Sequence, residues 1–566
     1  MANLEIYQTS SLEKIMTTDA NDFIQSDSLS ALKGERISWQ IALRADEIMS
    51  LRFSVTREFH GDLTIRRVGN VPVELASYDK DCDDDYISHS SGIYPDILFP
   101  VYNNIVNVKP KSFTVLWITV ELPKDISAGD HIVTVDFTND EKAISKKTEF
   151  CIHAAEAVIP KQHMKFTQWM HADCIADYYN YQVFSPEHWN MIGKFIKMAA
   201  NIGANMMYTP IFTPPLDTRY GNERTTIQLI DVYKDADGYS FKFEKLKKWL
   251  NICRENGIHI FEFSHLFSQW GAKYTPKIVA YTEKGQESIF GWETSSSSEE
   301  YEIFLRQMLA ALCAFIDGEE GEFYFHISDE PEKKDMQRYL NGYRIVKDCV
   351  KNHKIIDAFS EIELYDSNIM DIPVPNISCA EDFYKCGVSE RWVYYSCANN
   401  KDVCNRYISM PSYRNRAIGL QFYKYQTDGF LHWGYNFYNS GLSDFKINPF
   451  SVTDAGGLMP AGDSFSVYPG TDGPIESIRS VVFYEALADL AACELLETFI
   501  GRDEVLKIIE KNEKITFKSY PKSTAALLEI RQCINEKIDQ LTHNNNVYAK
   551  VYNQASECDF SVCGNV

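Results

Sequence analysis

The chain has 566 residues and a formal net charge of -23, with 45% hydrophobic and 24% charged residues. This length is enough for two or three domains. The excess of negative charge argues against nucleic acid or an anionic membrane surface as a partner. No apolar stretch approaches the length of a membrane span.

The start of the chain and the cysteines indicate the compartment. Residues 1–7 have neither the basic start nor the apolar run of a secretory signal. The 14 cysteines are scattered and include no C-x-x-C pair. This use is typical of buried thiols in a reducing environment, so we expect a cytoplasmic protein.

Residues 1–157 have the pattern of an all-β domain. Apolar residues alternate with polar ones at 36–43, 51–56, 63–68, 112–122, 131–137 and 148–153. Gly69-Asn70 and Gly129-Asp130 indicate turns between such strands. Many short strands without helices predict a β-sandwich.

One loop of this domain is strongly acidic, and its aspartates are Asp79, Asp81, Asp83, Asp84 and Asp85. A calcium loop of the EF-hand type needs a glycine and a late glutamate at fixed offsets, and neither is present. We therefore expect a solvated acidic loop rather than a metal site. Residues 94–96 (Tyr-Pro-Asp) follow it, and an alternative is that they reach the mouth of the next domain.

From Pro160 onward, predicted strands and helices alternate. The strands are expected at 165–171, 205–212, 258–265, 323–327, 355–360, 376–380, 392–396 and 429–435. The helices are expected at 186–202, 243–256, 298–317, 332–351, 410–425 and 475–500. Eight strands in this alternation predict a (β/α)8 TIM-like barrel over residues 158–541, with helices at its C-terminal end. Residues 460–473 are expected to form a loop over the barrel mouth, and residues 542–566 a loosely ordered tail.

The fourth predicted strand ends in two adjacent acids, Asp329 and Glu330, followed by Pro331. The carboxyl ends of such strands are where barrels place their active sites. Two close carboxylates do not both ionise easily, so one tends to keep a proton and the other its charge. The alternative is an exposed strand-to-helix turn whose acids favour the following helix N-terminus.

Other predicted strand ends carry aromatic and polar side chains. They are Trp169, His171, Tyr208, His265, Trp270, Tyr394, Tyr395, Trp433, Tyr435 and Asn436, and Asp463 lies in the loop expected over the mouth. Each alone is more typical of packing, but together they predict a pocket for a ring-shaped ligand. No set of His or Cys at ligand spacing accompanies the acids, so we expect neither a metal nor a cofactor.

Three segments carry a resemblance to a known family. They are residues 326–331 (HISDEP), 428–436 (DGFLHWGYN) and 462–470 (GDSFSVYPG), the last followed by Ser477-Ile478-Arg479. In order and spacing the chain resembles glycoside hydrolase family 123, the β-N-acetylgalactosaminidases, over nearly its whole length. The sandwich-then-barrel layout is similar to that family as well.

The resemblance implies a retaining exo-hydrolase that removes terminal β-linked N-acetylgalactosamine, with carbohydrate as its partner. It assigns Glu330 as general acid/base, and Asp329 as the residue that orients the 2-acetamido N–H and stabilises the oxazolinium-like intermediate. The nucleophile is then the carbonyl oxygen of the sugar's own acetamido group. This removes a difficulty, because neighbouring residues do not easily place two carboxyls about 5–5.5 Å apart across the bond. Trp433 is expected to stack on the apolar face of the sugar.

Two other functions stay open. One is a hydrolase of another 2-acetamido sugar, such as β-N-acetylglucosamine, and the other is a silent carbohydrate-binding protein on the same barrel. The intact acid pair argues against the silent protein. The sequence does not distinguish a glycolipid from an O-glycan aglycone.

Overall fold

The N-terminal part of the chain folds into two five-stranded sheets. The computed structural model describes residues 3–17, 23–78, 80, 82–366 and 370–544. Its first ten strands are β1 (Leu4–Ser10), β2 (Ser28–Lys33), β3 (Arg36–Ala45), β4 (Met49–Arg57), β5 (Leu63–Val73), β6 (Gly92–Pro100), β7 (Ile105–Val108), β8 (Thr114–Glu121), β9 (Gly129–Asn139) and β10 (Ile144–Val158). The strand orders are β1-β3-β8-β5-β6 and β2-β10-β9-β4-β7.

Side chains from both sheets share one core. The rings of Trp39 on β3 and Phe150 on β10 stack with centroids 4.5 Å apart. On β4, Leu51 and Phe53 are buried while the residues between them are exposed. This alternation places one face of the sheet in the core, as expected for sheets packed face to face. The predicted β-sandwich is confirmed, and the six predicted strands are present to within a few residues.

The rest of the chain alternates strands and helices. In chain order they are β11 (Lys165–Gln168), α1 (Ala172–Tyr179), α2 (Pro186–Asn201), β12 (Met206–Thr209), β13 (Asp231–Asp235), β14 (Gly238–Lys242), α3 (Glu244–Glu255), β15 (Ile260–Phe263), β16 (Ile278–Thr282), β17 (Gly285–Phe290), α4 (Glu299–Ile316), β18 (Glu322–Phe325), α5 (Met336–Val350), β19 (Lys354–Ala358), β20 (Ile372–Val374), α6 (Ala380–Lys385), β21 (Trp392–Tyr394), α7 (Ser412–Arg416), α8 (Ile418–Tyr425), β22 (Gly429–His432), β23 (Val467–Gly470), β24 (Gly473–Glu476), α9 (Ile478–Ile500), α10 (Arg502–Ile509) and α11 (Thr524–Asn544). Within the described ranges, no helix combines the length and the apolar character needed to cross a bilayer.

Eight parallel strands form a nearly closed barrel. Their order is β20-β19-β18-β15-β12-β11-β22-β21. The two end strands are joined by an isolated parallel bridge between Asn376 and Tyr394. Large apolar side chains, including Met206, Tyr208 and Leu431, fill the interior. The barrel is thus a packed core, with its chemistry left to the loops at its carboxyl end.

The sixth strand lies elsewhere than predicted. The structure has it at Ile372–Val374, whereas the predicted residues 376–380 lead into α6, which starts at Ala380. Pro375 has no N–H to donate to a ladder and therefore ends the strand. The Pro-interrupted sequence hides the short strand from a periodicity analysis.

Two predicted helices also differ in their limits. The helix expected from residue 475 starts at Ile478, capped by the Ser477 side chain, and residues 473–476 instead pair with β23. The helix expected over 410–425 is two helices that meet at Ala417, whose backbone has 3-10-like angles (φ -57°, ψ -21°). At the other end, α11 continues to Asn544, so the predicted tail does not begin at 542. The rest of that tail lies outside the described residues.

A small four-stranded sheet, in the order β14-β13-β16-β17, is inserted in the barrel. It is built from the segments that follow β12 and β15, the two strands next to β18 on one side. Its strands are short and partly exposed, so they lack the apolar alternation that predicts strands. The sequence analysis does not predict this sheet.

The sandwich is fastened to the barrel by a buried ion pair. Asp96 on β6 accepts two hydrogen bonds of 2.9 Å from the guanidinium of Arg479 on α9. Arg479 also donates to the carbonyl oxygens of Gly462 (2.6 Å) and Phe465 (2.8 Å). Residues 94–96 therefore do contact the loop that follows the last barrel strand.

The described part of the acidic loop is docked rather than solvated. Arg414 donates to both carboxylate oxygens of Asp83, at 2.8 and 3.0 Å. The hydroxyl of Tyr520 donates to Asp85 at 2.9 Å. The expectation of a solvated loop was wrong here, because its cationic partner is more than 300 residues away in the chain. Asp79 and Asp81 lie outside the described residues.

We predict that Asp96→Asn strongly destabilises the protein. It leaves the Arg479 guanidinium, 1% exposed, without a counter-charge, and breaking a buried pair in this way costs about 3–5 kcal/mol. The measurement is the free energy of unfolding in urea. Glu47→Gln, which removes an exposed partner of Lys142, is the matched control and should cost far less. Equal losses in the two variants would contradict the prediction.

Candidate functional site

The two acids lie just beyond the end of β18, on a constrained turn. Asp329 and Glu330 are both half-buried. The backbone of Glu330 has φ +42°, in the left-handed region that residues other than glycine seldom adopt. The backbone N–H of Trp270, which itself has φ +54°, donates to the carbonyl oxygen of Asp329 at 2.8 Å. Such strained conformations persist where the surroundings enforce them, often at functional sites.

The acids share an environment that favours one proton between them. Burial, and then the charge of Glu330, raise the pKa of Asp329 well above its usual range. Burial also raises the pKa of Glu330. A hydrogen bond that Tyr394 donates to its Oε1 lowers this pKa, but by less. In the ligand-free site, the pKa of Asp329 is raised more than the pKa of Glu330. The proton-sharing pair expected from the sequence is thus consistent with the burial of both groups.

A charged triad is buried directly beneath the turn. Nε2 of His326 lies 2.9 Å from Glu262 on β15, and its Nδ1 lies 3.3 Å from Asp357 on β19. Burial lowers the pKa of His326, but hydrogen bonds to Asp357 and Glu262 outweigh it and raise that pKa to about 9. His326 is therefore an imidazolium at neutral pH. Its positive charge in turn lowers the pKa of Asp329.

The triad also fixes the backbone that leads to the acids. The N–H of Ile327 donates to Asp357 at 2.9 Å, and the hydroxyl of Tyr339 donates to the same carboxylate at 2.7 Å. The indole of Trp169 donates to Glu262 at 3.2 Å. The sequence analysis missed Glu262 and Asp357. The available signal was a single acid in the middle of an otherwise apolar strand, at Ile260–Phe263 and at Lys354–Ala358.

A second histidine stacks on this triad. The rings of His265 and His326 have centroids 4.4 Å apart, and Nδ1 of His265 lies 3.1 Å from the Tyr208 hydroxyl. Among the described residues, His265, His326 and Asp357 form a group with ligand atoms within 4.8 Å of one another. Both ring nitrogens of His326 and Nδ1 of His265 already have hydrogen-bond partners within the protein. The donor set therefore fits a hydrogen-bonded network better than a metal centre.

Several predicted pocket residues lie at the mouth. Tyr394 contacts Glu330 directly, and the Trp270 side chain is 48% exposed beside the turn. Trp433 is half-buried, and its indole donates to Asp463 at 2.9 Å. Asp463 is fully buried, so it holds Trp433 rather than facing the mouth. Burial raises the pKa of Asp463 to about 7, although the hydrogen bond from Trp433 acts to lower it.

The close approach of two loops makes this contact possible. A Cβ on Gly434 would lie 2.2 Å from the carbonyl oxygen of Asp463. Only glycine therefore fits after Trp433 without moving the loop that carries Asp463.

Other predicted pocket residues support the mouth from below. Trp169 and Tyr208 are buried and stack with centroids 5.1 Å apart. His171 lies 3.1 Å from the carbonyl oxygen of Trp433 and receives a hydrogen bond of 3.0 Å from Arg224. Burial lowers the pKa of His171 well below its usual range, so it is a neutral hydrogen-bonding group.

Two further residues join these elements. Asn436 accepts from the N–H of His171 at 2.8 Å and donates to its carbonyl oxygen at 3.1 Å. The guanidinium of Arg224 makes two hydrogen bonds to Asp173, at 2.7 and 2.8 Å. These contacts connect the ends of β11 and β22 with the long loop after β12.

The structure places Tyr395 and Tyr435 outside the pocket. The ring of Tyr395 packs against Phe430 and His432, and the hydroxyl of Tyr435 donates to the carbonyl oxygen of Phe195 on α2. Both lie in the layer between barrel and helices, because neighbouring side chains on a strand point to opposite faces. Tyr394 points inward, so Tyr395 points outward.

Asp217 is a further acid near the pair that the sequence analysis missed. It is buried, and burial raises its pKa to about 6. The N–H of Leu442 donates to its carboxylate at 3.0 Å. Its charge contributes to the raised pKa of Asp329. It lies in an irregular loop after β12, where no periodic pattern marks it.

Comparisons with known proteins find a matching family model and a solved structure of similar fold. The family model described as "Glycoside hydrolase 123, catalytic domain" matches residues 169–496. A family 123 glycoside hydrolase from Clostridium perfringens, whose structure was described in a study of glycolipid glycan hydrolysis, has a TM-score of 0.71 to this chain. It is 14% identical, with 98% of this chain and 100% of that one covered.

Two other solved structures are similar to this chain only at low TM-scores. A family 2 glycosyl hydrolase from Bacteroides cellulosilyticus has a TM-score of 0.25 at 10% identity, over 76% of this chain and 46% of that one. A β-glucuronidase from Parabacteroides merdae has a TM-score of 0.29 at 9% identity, over 82% and 51%. No curated protein matches the chain.

We predict that the stability supplied by His326 falls as the pH rises. Its folded pKa of about 9 lies above the ordinary value of 6.5. The contribution is therefore fully present below about pH 6.5 and is lost as the pH rises through about 9, a change of about 3 kcal/mol. The measurement is the difference in unfolding free energy between the wild type and His326→Gln at pH 6 and at pH 9.5.

His60→Gln, on the surface of the sandwich, is the control and should leave this pH dependence unchanged. A gap between wild type and His326→Gln that is the same at both pH values would mean that His326 is not charged in the folded protein.

Proposed function

The chain belongs to glycoside hydrolase family 123, and from this premise we propose that it is a retaining exo-β-N-acetylgalactosaminidase that uses substrate-assisted catalysis. The observation that carries the proposal is the pair Asp329 and Glu330, adjacent in the chain and half-buried at the carboxyl end of β18. We infer that the nearly closed barrel is of the (β/α)8 type, with this pair in its active-site mouth. The substrate is a glycan that ends in β-linked N-acetylgalactosamine, of glycolipid or O-glycan type.

The adjacency of the acids supports an internal nucleophile. A retaining enzyme with two catalytic carboxyls holds them about 5–5.5 Å apart, on opposite sides of the scissile bond. Consecutive residues on a turn instead present both groups to the same cavity. The 2-acetamido group of the substrate supplies the missing nucleophile. Each acid can then act on the part of the substrate that it reaches.

Glu330 is the proton donor in this proposal. The acetamido carbonyl oxygen attacks C1, the bond from C1 to the leaving oxygen breaks, and the proton of Glu330 passes to that oxygen. Water then attacks C1 of the oxazolinium-like intermediate, giving its proton to Glu330 and reopening the ring. Two displacements at C1 retain the configuration. Tyr394 donates a hydrogen bond to one oxygen of Glu330 and orients this carboxyl group.

Asp329 acts as the anion that faces the acetamido N–H. In the ligand-free structure, burial favours a proton on Asp329. A hydrogen bond from the substrate amide favours the charged form instead, as does the nearby His326 imidazolium. Substrate binding therefore shifts the shared proton to Glu330, where the first step needs it. Trp433, held by Asp463, is placed to stack on the sugar.

One comparison of substrates tests the proposal. The para-nitrophenyl glycosides of β-N-acetylgalactosamine, β-N-acetylglucosamine and β-galactose are assayed side by side. Hydrolysis of the first, with none of the β-galactoside, is the expected result. Equal hydrolysis of the β-galactoside would exclude participation of the acetamido group. A preference for the β-N-acetylglucosaminide would show that this sugar, rather than N-acetylgalactosamine, is the substrate.

We predict that Glu330→Gln reduces the rate most for poor leaving groups. A natural disaccharide needs protonation of its leaving oxygen, so its rate should fall by about 10²–10⁴-fold. A nitrophenyl leaving group needs little protonation, and its first step should be less affected. The measurement is kcat/KM for both substrates in wild type and variant. An equal loss for both substrates would argue against Glu330 as the acid.

Asp329→Asn should reduce the rate with both leaving groups. The variant loses the anion that faces the developing positive charge, a contribution of about 10²–10³-fold. Removal of the neighbouring charge also lowers the pKa of Glu330, so the alkaline limb of the pH–rate profile should move to lower pH. A covalent glycosyl-enzyme on Asp329, trapped with a fluorosugar, would instead show that Asp329 is the nucleophile.

A further inference from the structure

Three aromatic side chains pack together in loops around the inserted sheet, and we call them the aromatic platform (Tyr220, Tyr274 and Trp292). Ring centroids are 5.0 Å apart for Tyr220 and Tyr274, 5.8 Å for Tyr220 and Trp292, and 5.9 Å for Tyr274 and Trp292. Tyr220 is 55% exposed. Tyr274 and Trp292 are half-buried. Single exposed aromatics are ordinary on a protein surface, but three mutually packed rings, one of them exposed, offer a surface that a ligand can contact.

Hydrogen bonds connect this platform to the catalytic turn. The hydroxyl of Ser328, next to Asp329, donates to the carbonyl oxygen of Ser268 at 2.8 Å. The N–H of Ser268 donates to the carbonyl oxygen of Tyr274 at 2.9 Å, and the N–H of Tyr274 donates to Ser268 Oγ at 3.0 Å. The platform loops follow β12 and β15, which lie beside β18 in the barrel. The platform therefore flanks the mouth on the side of these two strands.

The platform is held rigidly. The indole N–H of Trp292 donates to the carbonyl oxygen of Asn222 at 2.8 Å. Arg219, beside Tyr220, makes two hydrogen bonds of 2.8 and 2.6 Å to Asp444, which also accepts from Asn222 at 2.8 Å. These contacts anchor the loop after β12 to the loop after β22. A surface fixed in this way loses little conformational entropy when a ligand binds.

A cavity opens beside the platform. Its volume is about 370 Å³, and its lining includes Thr218, Asn222, Thr275 and Trp292. This size lies in the range of small-molecule sites. The lining combines the aromatic rings of Phe290 and Trp292 with hydroxyl, amide and charged groups, and a sugar ring has apolar faces and a polar edge that such a lining can contact.

We infer that the aromatic platform binds the neutral sugars on the leaving-group side of the scissile bond. The inference rests on the proposed function, which places the terminal sugar in the barrel mouth and directs the remainder of the glycan over its rim. A neutral ligand is favoured because the cations beside the platform are already engaged within the protein: Arg219 pairs with Asp444, Lys277 pairs with Glu223 at 2.6 Å, and Lys273 lies over the ring of Tyr274. The exposed Trp270 connects the two sites, because its N–H donates to the carbonyl oxygen of Asp329 and Tyr274 follows shortly after it in the chain.

Kinetics with two substrates test the inference. One substrate is the trisaccharide in which β-N-acetylgalactosamine is linked to lactose. The other is β-N-acetylgalactosaminyl azide, whose leaving group is too small to reach the platform. For Tyr220→Ala and Trp292→Ala, kcat/KM for the trisaccharide should fall by about 3- to 10-fold more than kcat/KM for the azide. Tyr102→Ala, which removes a 71% exposed ring from the sandwich, is the control and should change neither. Equal losses with both substrates would overturn the inference.

A binding measurement separates this inference from the proposed function. Lactose alone is titrated against the wild type, Trp292→Ala and Tyr102→Ala, with its contacts followed by saturation-transfer NMR. Binding that weakens only in Trp292→Ala supports the platform even when no β-N-acetylgalactosaminide is hydrolysed. Absence of lactose binding together with equal kinetic losses would reject it. A change of oligomeric state in Tyr220→Ala, seen by sedimentation, would instead assign the platform to contact with a second copy of the chain.

Discussion

The buried imidazolium of His326 is the interaction on which the candidate site depends. It lies between carboxylates on the strands before and after β18, so it joins three neighbouring barrel strands at their carboxyl ends. Two buried carboxylates without a cation between them would carry a large desolvation cost. With the cation they form a rigid base, and Asp357 uses its remaining hydrogen bonds to hold Ile327 and Tyr339. The acids above this base are thus positioned by an electrostatic network rather than by apolar packing alone.

The turn that carries the acids is constrained on both sides. Glu330 and Trp270 both adopt positive φ values, and a backbone hydrogen bond from Trp270 to Asp329 joins their two loops. Consecutive residues in extended conformation would send their side chains to opposite faces. The left-handed conformation of Glu330 breaks that alternation, and the two adjacent acids lie close enough for the charge of Glu330 to raise the pKa of Asp329. The loops that impose this geometry also carry the aromatic platform.

One of the three segments that resemble family 123, residues 462–470 with Arg479 after it, has a supporting role. Arg479 binds Asp96 of the sandwich and the carbonyl oxygens of the loop over 462–465, so that loop is fastened to the N-terminal domain. The same loop carries Asp463, which holds the indole of Trp433. The sandwich therefore supports the mouth through the ion pair of Asp96 with Arg479. The domain boundary near residue 157 stays a prediction, since one apolar cluster includes residues from both sides of it.

The sequence by itself determined the elements whose cause is local. Alternation predicted the sandwich strands, and apolar runs that end in polar residues predicted most barrel strands. The helix expected at 186–202 is α2, which Ser185 caps. The pair Asp329 and Glu330 stood out because two acids end an apolar strand. The short strand Ile372–Val374 and the inserted sheet escaped prediction, because a proline in the first and polar residues in the second remove the periodic signal.

Tertiary structure alone decided which side chains meet. Glu262, His326 and Asp357 come from three strands, and Asp83 and Arg414 from two domains, so no local pattern relates them. Tyr394 and Tyr395 are equally aromatic in the sequence, yet only the first contacts Glu330, since strand geometry turns the second toward the helices. The sequence thus determined where the acids lie in the chain. The contacts across strands and loops decided their conformation and the charges that surround them.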